Sequence, residues 1–255
     1  MFCSVLLADG LLQKTHECLL VFGVCEEKIG VVPCGVNLDL FQPQDKQADR
    51  KQLGFDQKDL ILLYVGRFEP LKGIEGLLEA VSHLKRLRRL RLVLVGGDGD
   101  EAPESWLLKQ KATNLGIDAK VLFAGRVDQK YLPPYYSSAD VLVISSHYES
   151  FGLVELEALA CGRPVVSTAV GAMETLIKQS QAGHILRDRL PRSLAMGILA
   201  IITNSNPPRS NEIRRSVLKY SWSNVAAAIL REYEIVIGQR VFENDRLVPA
   251  RALCG

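Results

Sequence analysis

From about residue 60 onward, the hydrophobic positions fall into two alternating patterns. Short runs apolar at nearly every position occur at Leu60–Val65, Leu92–Val95, Val121–Ala124, Val141–Ser145 and Pro164–Ser167. Such runs predict parallel strands covered on both faces. Between them lie stretches with helical spacing, at Ile74–Arg88, Glu104–Leu115, Leu132–Ser138 and Leu153–Ala160. Gly66, Gly96, Gly97 and Gly125 follow strand ends, where the chain must turn sharply. The repeated strand–helix–strand order implies right-handed crossovers and an α/β fold, an open, doubly wound, Rossmann-like parallel sheet. Ligands of such sheets bind beyond the carboxyl ends of the strands, near the point where strand order reverses. The loops after the strands are therefore where chemistry is expected.

The last third reads as a helical C-terminal region. Three helices are expected at Ser193–Thr203, Arg209–Tyr220 and Ser223–Ile237, the last capped by Ser221 or Ser223. The stretch 239–255 has no clear pattern and is expected to be a mobile tail.

Composition narrows the function classes. A formal charge of +2 over 255 residues gives no bulk attraction to nucleic acid or to an anionic membrane, so any bound anion must be caught locally. No apolar stretch is long enough to span a bilayer, which needs about 18 residues or more. The apolar start at 1–8 lacks the basic leader of a signal peptide. The six cysteines, Cys3, Cys18, Cys25, Cys34, Cys161 and Cys254, form no Cys-x-x-Cys pair or metal-type cluster. They read as reduced thiols of a cytoplasmic protein.

Two loops carry candidate chemistry. Gly66-Arg67-Phe68-Glu69-Pro70-Leu71-Lys72-Gly73 places an arginine and a lysine between a strand end and a helix start. Two cations beside free backbone N–H groups suit a diphosphate, although such pairs also occur as plain solvated charges. The second loop runs from Ser145 through His147, Glu149, Phe151 and Gly152 into a helix that begins near Leu153. Glycine there bares N–H groups at a helix N-terminus, which favours an anion. Helical side chains lean toward the N-terminus, so Glu157 is expected to reach back toward the ligand held by Glu149. Two converging carboxylates suit the hydroxyl groups of a sugar. Glu155 and Glu157 both have apolar or small neighbours, and periodicity does not tell which of them faces a ligand.

The segments G-R-F-E-P-L-K-G, F-A-G-R-V, Y-Y-S-S-A-D-V-L-V-I-S-S and E-S-F-G-L-V-E-L-E-A-L-A-C-G-R-P-V-V, in this order and spacing, resemble the family 4 (group 1) glycosyltransferases of the GT-B type. The resemblance covers roughly residues 8–238, and the wording around Glu149 is closest to members related to sucrose-phosphate synthases and inositol-phosphate N-acetylglucosaminyltransferases. It implies a donor-binding domain for a UDP-sugar, no bound metal or other cofactor, and retention at the anomeric carbon. Arg67 and Lys72 would hold the diphosphate, Glu149 the transferred sugar and Glu157 the ribose. Backbone near Gly66, Phe151, Gly152 and Leu153 would face the diphosphate or sugar, and the loop of Gly125, Arg126 and Val127 would recognise the base.

The resemblance also divides the chain. Residues 1–30 resemble a remnant of the acceptor-binding domain, 31–220 the nucleotide-sugar domain, and 221–238 a helix crossing back to the missing half. Donor binding is expected, with little or no transfer to the unknown acceptor without an amino-terminal domain or a partner chain. A binding module inactive on its own is the competing reading. Several lookalikes are set aside. Asp98-Gly99-Asp100 spells a metal motif of another glycosyltransferase fold but reads as a turn. No G-x-G-x-x-G opens a helix and no Walker motif occurs, against nicotinamide and nucleotide-hydrolysing enzymes. A phosphorylase or sugar epimerase of similar architecture fits less well. His147 reads as a loop residue lining the site. Near Gly171-Ala172 the family's second glycine is absent, and the family glutamate of the stretch that holds Glu174 is either shifted by one position or absent.

Overall fold

The computed structural model describes residues 5–8, 19–26, 29–99, 102–149, 151–171, 176–177 and 182–246. Strands β1 (Val5–Ala8) and β2 (Ile29–Val32) form a separate parallel pair. The main body is a six-stranded sheet of β3 (Leu60–Val65), β4 (Leu90–Val95), β5 (Val121–Gly125), β6 (Val141–Ile144), β7 (Val165–Thr168) and β8 (Gly183–Leu186). All pairings are parallel, in the order β5-β4-β3-β6-β7-β8. The chain winds outward from β3 to β5, returns, and winds the other way from β6 to β8. The expected doubly wound α/β sheet is present, with its reversal between β3 and β6.

The continuous apolar runs explain this placement. Within β3, Ile61 and Leu63 join one core while Leu62 and Tyr64 join the other, so alternate residues feed two buried layers. The first layer is closed by α1 (Lys46–Gln52), α4 (Pro133–Ser138), α5 (Leu153–Ala160) and α7 (Ser210–Arg215). The second is closed by α2 (Ile74–His83), α3 (Pro103–Asn114) and α6 (Pro191–Ile202). A long helix, α8 (Trp222–Arg246), follows, its start capped by the Ser221 hydroxyl, which accepts from the Asn224 N–H at 3.2 Å.

Several expectations need correction. The helix from Ile74 ends at His83, and residues 84–88 close as turns through the Leu87 N–H to Leu84 carbonyl bond. The helix expected over Arg209–Tyr220 is α7 plus a separate 3-10 turn at Leu218–Tyr220. The helix expected over Ser223–Ile237 continues to Arg246, because neither glycine nor proline interrupts 239–246. The remainder of the expected tail, 247–255, lies outside the described residues. Cys25 is disulfide-bonded, against the expectation of reduced thiols throughout, and widely scattered cysteines gave no spacing signal for it. Among the described residues, no helix is long and apolar enough to cross a membrane.

Candidate functional site

The two candidate loops leave β3 and β6, the central neighbours at which strand order reverses. They are stitched together by backbone and side chain. The His147 N–H donates to the Leu71 carbonyl at 2.7 Å, and the Ser145 hydroxyl donates to the Lys72 carbonyl at 2.9 Å. After the short turn Pro70–Lys72, Gly73 adopts φ +63° and opens α2. A Cβ at Gly73 would lie 2.1 Å from the Ser145 carbonyl oxygen, so only glycine permits this approach of the two loops.

The approach brings Lys72 to Glu149. The Lys72 ammonium donates to Glu149 Oε1 at 2.7 Å and to Oε2 at 2.9 Å, with both side chains mostly shielded from solvent. The Ser146 hydroxyl also donates to Glu149 Oε1, at 2.7 Å, and the Thr168 hydroxyl on β7 donates to the Ser146 carbonyl. The carboxylate is thus fixed from three strands. Beside it, α5 starts at Gly152, whose φ of +103° suits glycine and which supplies no side-chain cap. The first-turn N–H groups are left for water or a ligand. Phe151 packs into the core against Tyr220, leaving only its backbone for a ligand, while Leu153 is exposed.

Glu157 is held apart from Glu149. It is buried, and its two oxygens accept from the Gln129 amide at 2.8 Å and the Tyr136 hydroxyl at 2.6 Å. Burial raises its pKa from the ordinary carboxylate value, and the hydrogen bonds from Tyr136 and Gln129 partly offset that rise. Glu157 therefore ties α5 to α4 and to the turn after β5, and among the described residues no contact joins it to Glu149. The helix carries it around to the β5 side. Arg67 lies apart from Lys72: its guanidinium pairs with Glu69 of the same loop and is 76% exposed. Its carbonyl, by contrast, is held by the Tyr64 hydroxyl at 2.8 Å, and Gly66 precedes it at the strand end.

In the turn after β5, Arg126 is exposed, whereas Val127 is half-buried and borders a cavity of about 500 Å³ with Asp39, Leu40 and Tyr135. A second cavity, of about 420 Å³, lies on the opposite face of the switch loops and is lined by Phe68, Gly73, Ser145, His147 and Leu186. His147 thus lines a cavity, though not one bordered by Glu149. Ser146, Gln129 and Tyr136 were not singled out from sequence, since their partners come from distant elements. Asp98 lies in a bend with Gly97, and among the described residues no cluster suited to a metal ion is present. Asp100 and Glu174 lie outside the described residues.

A six-stranded parallel sheet with paired loops at its reversal point defines an α/β domain built to hold a ligand at the carboxyl ends of its strands. The chain belongs to the glycosyl transferases group 1 family, whose sequence profile matches residues 45–217. A D-inositol 3-phosphate glycosyltransferase of Geodermatophilus obscurus is 37% identical over 240 residues, 91% of this chain and 53% of that protein. Sucrose-phosphate synthase from Thermosynechococcus elongatus superposes with a TM-score of 0.79 at 29% identity, covering 92% of this chain and 59% of that one. A C-terminal domain of a glycosyl transferase group 1 family protein from Francisella tularensis shares the fold, with a TM-score of 0.58 at 23% identity over 78% of this chain and 98% of that domain. The chain spans about half the length of the curated relatives it matches.

Proposed function

We propose that this chain is the donor-binding half of a retaining glycosyltransferase that uses a UDP-sugar. The observation that carries the reading is the chelation of the Lys72 ammonium by both oxygens of Glu149 at the sheet's reversal point. A carboxylate there stands where a phosphate oxygen would compete for the same ammonium. On donor binding, the diphosphate takes Lys72 and the first-turn N–H groups of α5, while Glu149 turns its acceptor oxygens to hydroxyls of the sugar. Arg67, free to swing inward from an exposed position, adds the second cation. As the anomeric C–O bond breaks, its electron pair stays on the diphosphate, and the two cations stabilise that charge. The acceptor hydroxyl oxygen forms the new bond at the same face, and its proton passes to the departing diphosphate. Val127 and its cavity take the base. Glu157 reaches the ribose only by exchanging one of its present donors.

A second reading, a binding module that turns over only with a separate acceptor-binding half, is supported by α8. Trp222, Leu230, Tyr233 and Ile235 remain more than half exposed along that helix, an apolar surface suited to a further protein layer. Calorimetric titration with UDP-glucose, and donor turnover by the chain with and without an added amino-terminal half from an inositol-phosphate glycosyltransferase, separate the two. Binding without turnover, and turnover on addition of that half, support the module. Absence of UDP-glucose binding refutes both readings.

A further inference from the structure

The first turn of α5 carries a carboxyl that donor binding, as described, leaves unused. Glu155 is fully buried, and among the described residues no other side chain or backbone group hydrogen-bonds to either of its oxygens. Its helix is the one whose N-terminus faces the candidate phosphate position. The charged groups around it come from every neighbouring element. Glu149 and Lys72 approach from the switch loops, Glu157 lies two residues along, and the hydroxyls of Tyr64 on β3 and Tyr136 on α4 both sense its charge. A buried carboxylate without donors is costly, whereas the protonated acid is tolerated.

We infer that Glu155 is a positioning residue of the donor grip, a buried carboxyl that makes no bond to Lys72 and so leaves the Lys72 ammonium available to phosphate. The inference rests on the donor reading above. Burial, followed by the charge of Glu149, pushes the acid up to about 8, with its own backbone N–H and then Lys72 pulling the other way. If Glu155 ionised, an incoming diphosphate would compete with two carboxylates for one ammonium. The bound diphosphate, being anionic, would in turn hold the proton on Glu155 more tightly. Donor affinity must therefore fall as pH rises through the titration, and binding near that pH must take up a proton.

The test is UDP-glucose binding by the full chain as a function of pH, for the parent and E155Q, with carbon-13 carboxyl spectra of the ligand-free parent. The diphosphate of UDP-glucose does not titrate in this range. The uracil N–H begins to, but alike for every variant, so the difference in slope between parent and E155Q belongs to Glu155. Parent affinity is expected to drop about tenfold between about pH 7 and about pH 9, and E155Q, which mimics the protonated acid, is expected to flatten that slope. E155M, apolar and of similar size, flattens it by a second route should the amide disturb folding. A parent profile without slope, or a slope that survives in both variants, overturns the inference while leaving UDP-glucose binding intact. So does a spectrum in which every glutamate carboxyl titrates in the ordinary acidic range. A chain that binds no UDP-glucose at any pH sinks the donor reading itself, and the inference with it.

Discussion

The two ends of the central sheet handle charge in opposite ways. At the amino end, Asp140 precedes β6 and accepts from the Lys46 ammonium at 2.5 Å, the Arg50 guanidinium at 2.9 Å and the Ile61 N–H at 2.7 Å. Arg50 is buried and spends its other donors on the Ser138 and Gln57 carbonyls, locking α1 against α4 and the sheet. At the carboxyl end, Lys72 has Glu149 alone, Arg67 stands in solvent beside Glu69, and Glu155 lies buried with no donor from another described residue. The Asp140 cluster is closed in that it satisfies its central carboxylate, although Asp49 Oδ2 and Arg163 Nε nearby lack partners. The second end stays open, with Arg67 in solvent and both oxygens of Glu155 left over. On the proposed reading, the amino end serves stability and the reversal point serves the ligand, the side on which open parallel sheets hold theirs.

The largest expected effect comes from relieving the open end of its stability cost. Glu155 binds its proton more tightly in the folded chain than in the unfolded one, where its value is near 4.5 and burial lifts it to about 8. The folded state thus holds more protons between those values, and stability is lost as pH rises from the lower to the higher. Denaturant unfolding should show the advantage of E155Q over the parent growing by about 1 kcal/mol for each pH unit across that window, then levelling off. A constant difference would mean that Glu155 is charged in both states.

Breaking the closed end should cost less than that whole window but more than any single ligand contact. Asp140→Ala strands the buried Arg50 and leaves Lys46, whose acidity burial already increases, without its partner. A loss of about 3 kcal/mol in unfolding free energy is expected, toward the low end for a disrupted buried ion cluster because Asp140 keeps some solvent contact. UDP-glucose affinity, measured on the fraction still folded, should not change.

Lys72→Ala reverses that outcome. The Lys72–Glu149 pair is partly exposed and Glu149 retains the Ser146 hydroxyl, so stability should shift by less than about 1 kcal/mol. UDP-glucose affinity should drop by about 1.5–3 kcal/mol, the scale of a charge-assisted hydrogen bond, and Arg67→Ala should weaken it on the same scale. Calorimetry at neutral pH reads both. If the Arg67 variant binds as the parent does, its exposed pose with Glu69 persists in the complex and Lys72 is the sole cation of the grip.

The sequence made the scaffold legible wherever burial was two-sided. Runs such as Leu60–Val65 leave no alternative to a covered parallel strand, and all five predicted strands are present. The edge strand β8 escaped notice because Gly183 and His184 dilute its apolar signal, and α1 because its sequence is almost wholly polar and it docks through Asp49 and Arg50. At the site, Lys72 and Glu149 were readable as types of residue in particular loops, and the structure joins them. Orientation was not readable. The sequence offered Glu155 and Glu157 as equal candidates for a ligand, and packing turns the first inward without partners and the second toward Gln129 and Tyr136. Those partners lie 28 and 21 residues away, beyond any local pattern.

The mildest perturbation asks on which side of the comparison Glu157 belongs. Its two donors make it resemble Asp140, closed and structural, yet it sits on the helix that faces the donor position. Gln129→Ala removes the half-exposed donor and leaves the Tyr136 hydroxyl bond intact. If Glu157 is only a tie, the variant should lose about 1 kcal/mol of stability, the net worth of one such hydrogen bond, and bind UDP-glucose unchanged. If the ribose takes the place of Gln129 on binding, the side chain competes with the ligand, and its removal should leave the freed oxygen ready. UDP-glucose would then bind a few-fold more tightly while stability still falls. Opposite signs in the two measurements assign Glu157 to the open end, whereas a stability loss alone assigns it to the frame.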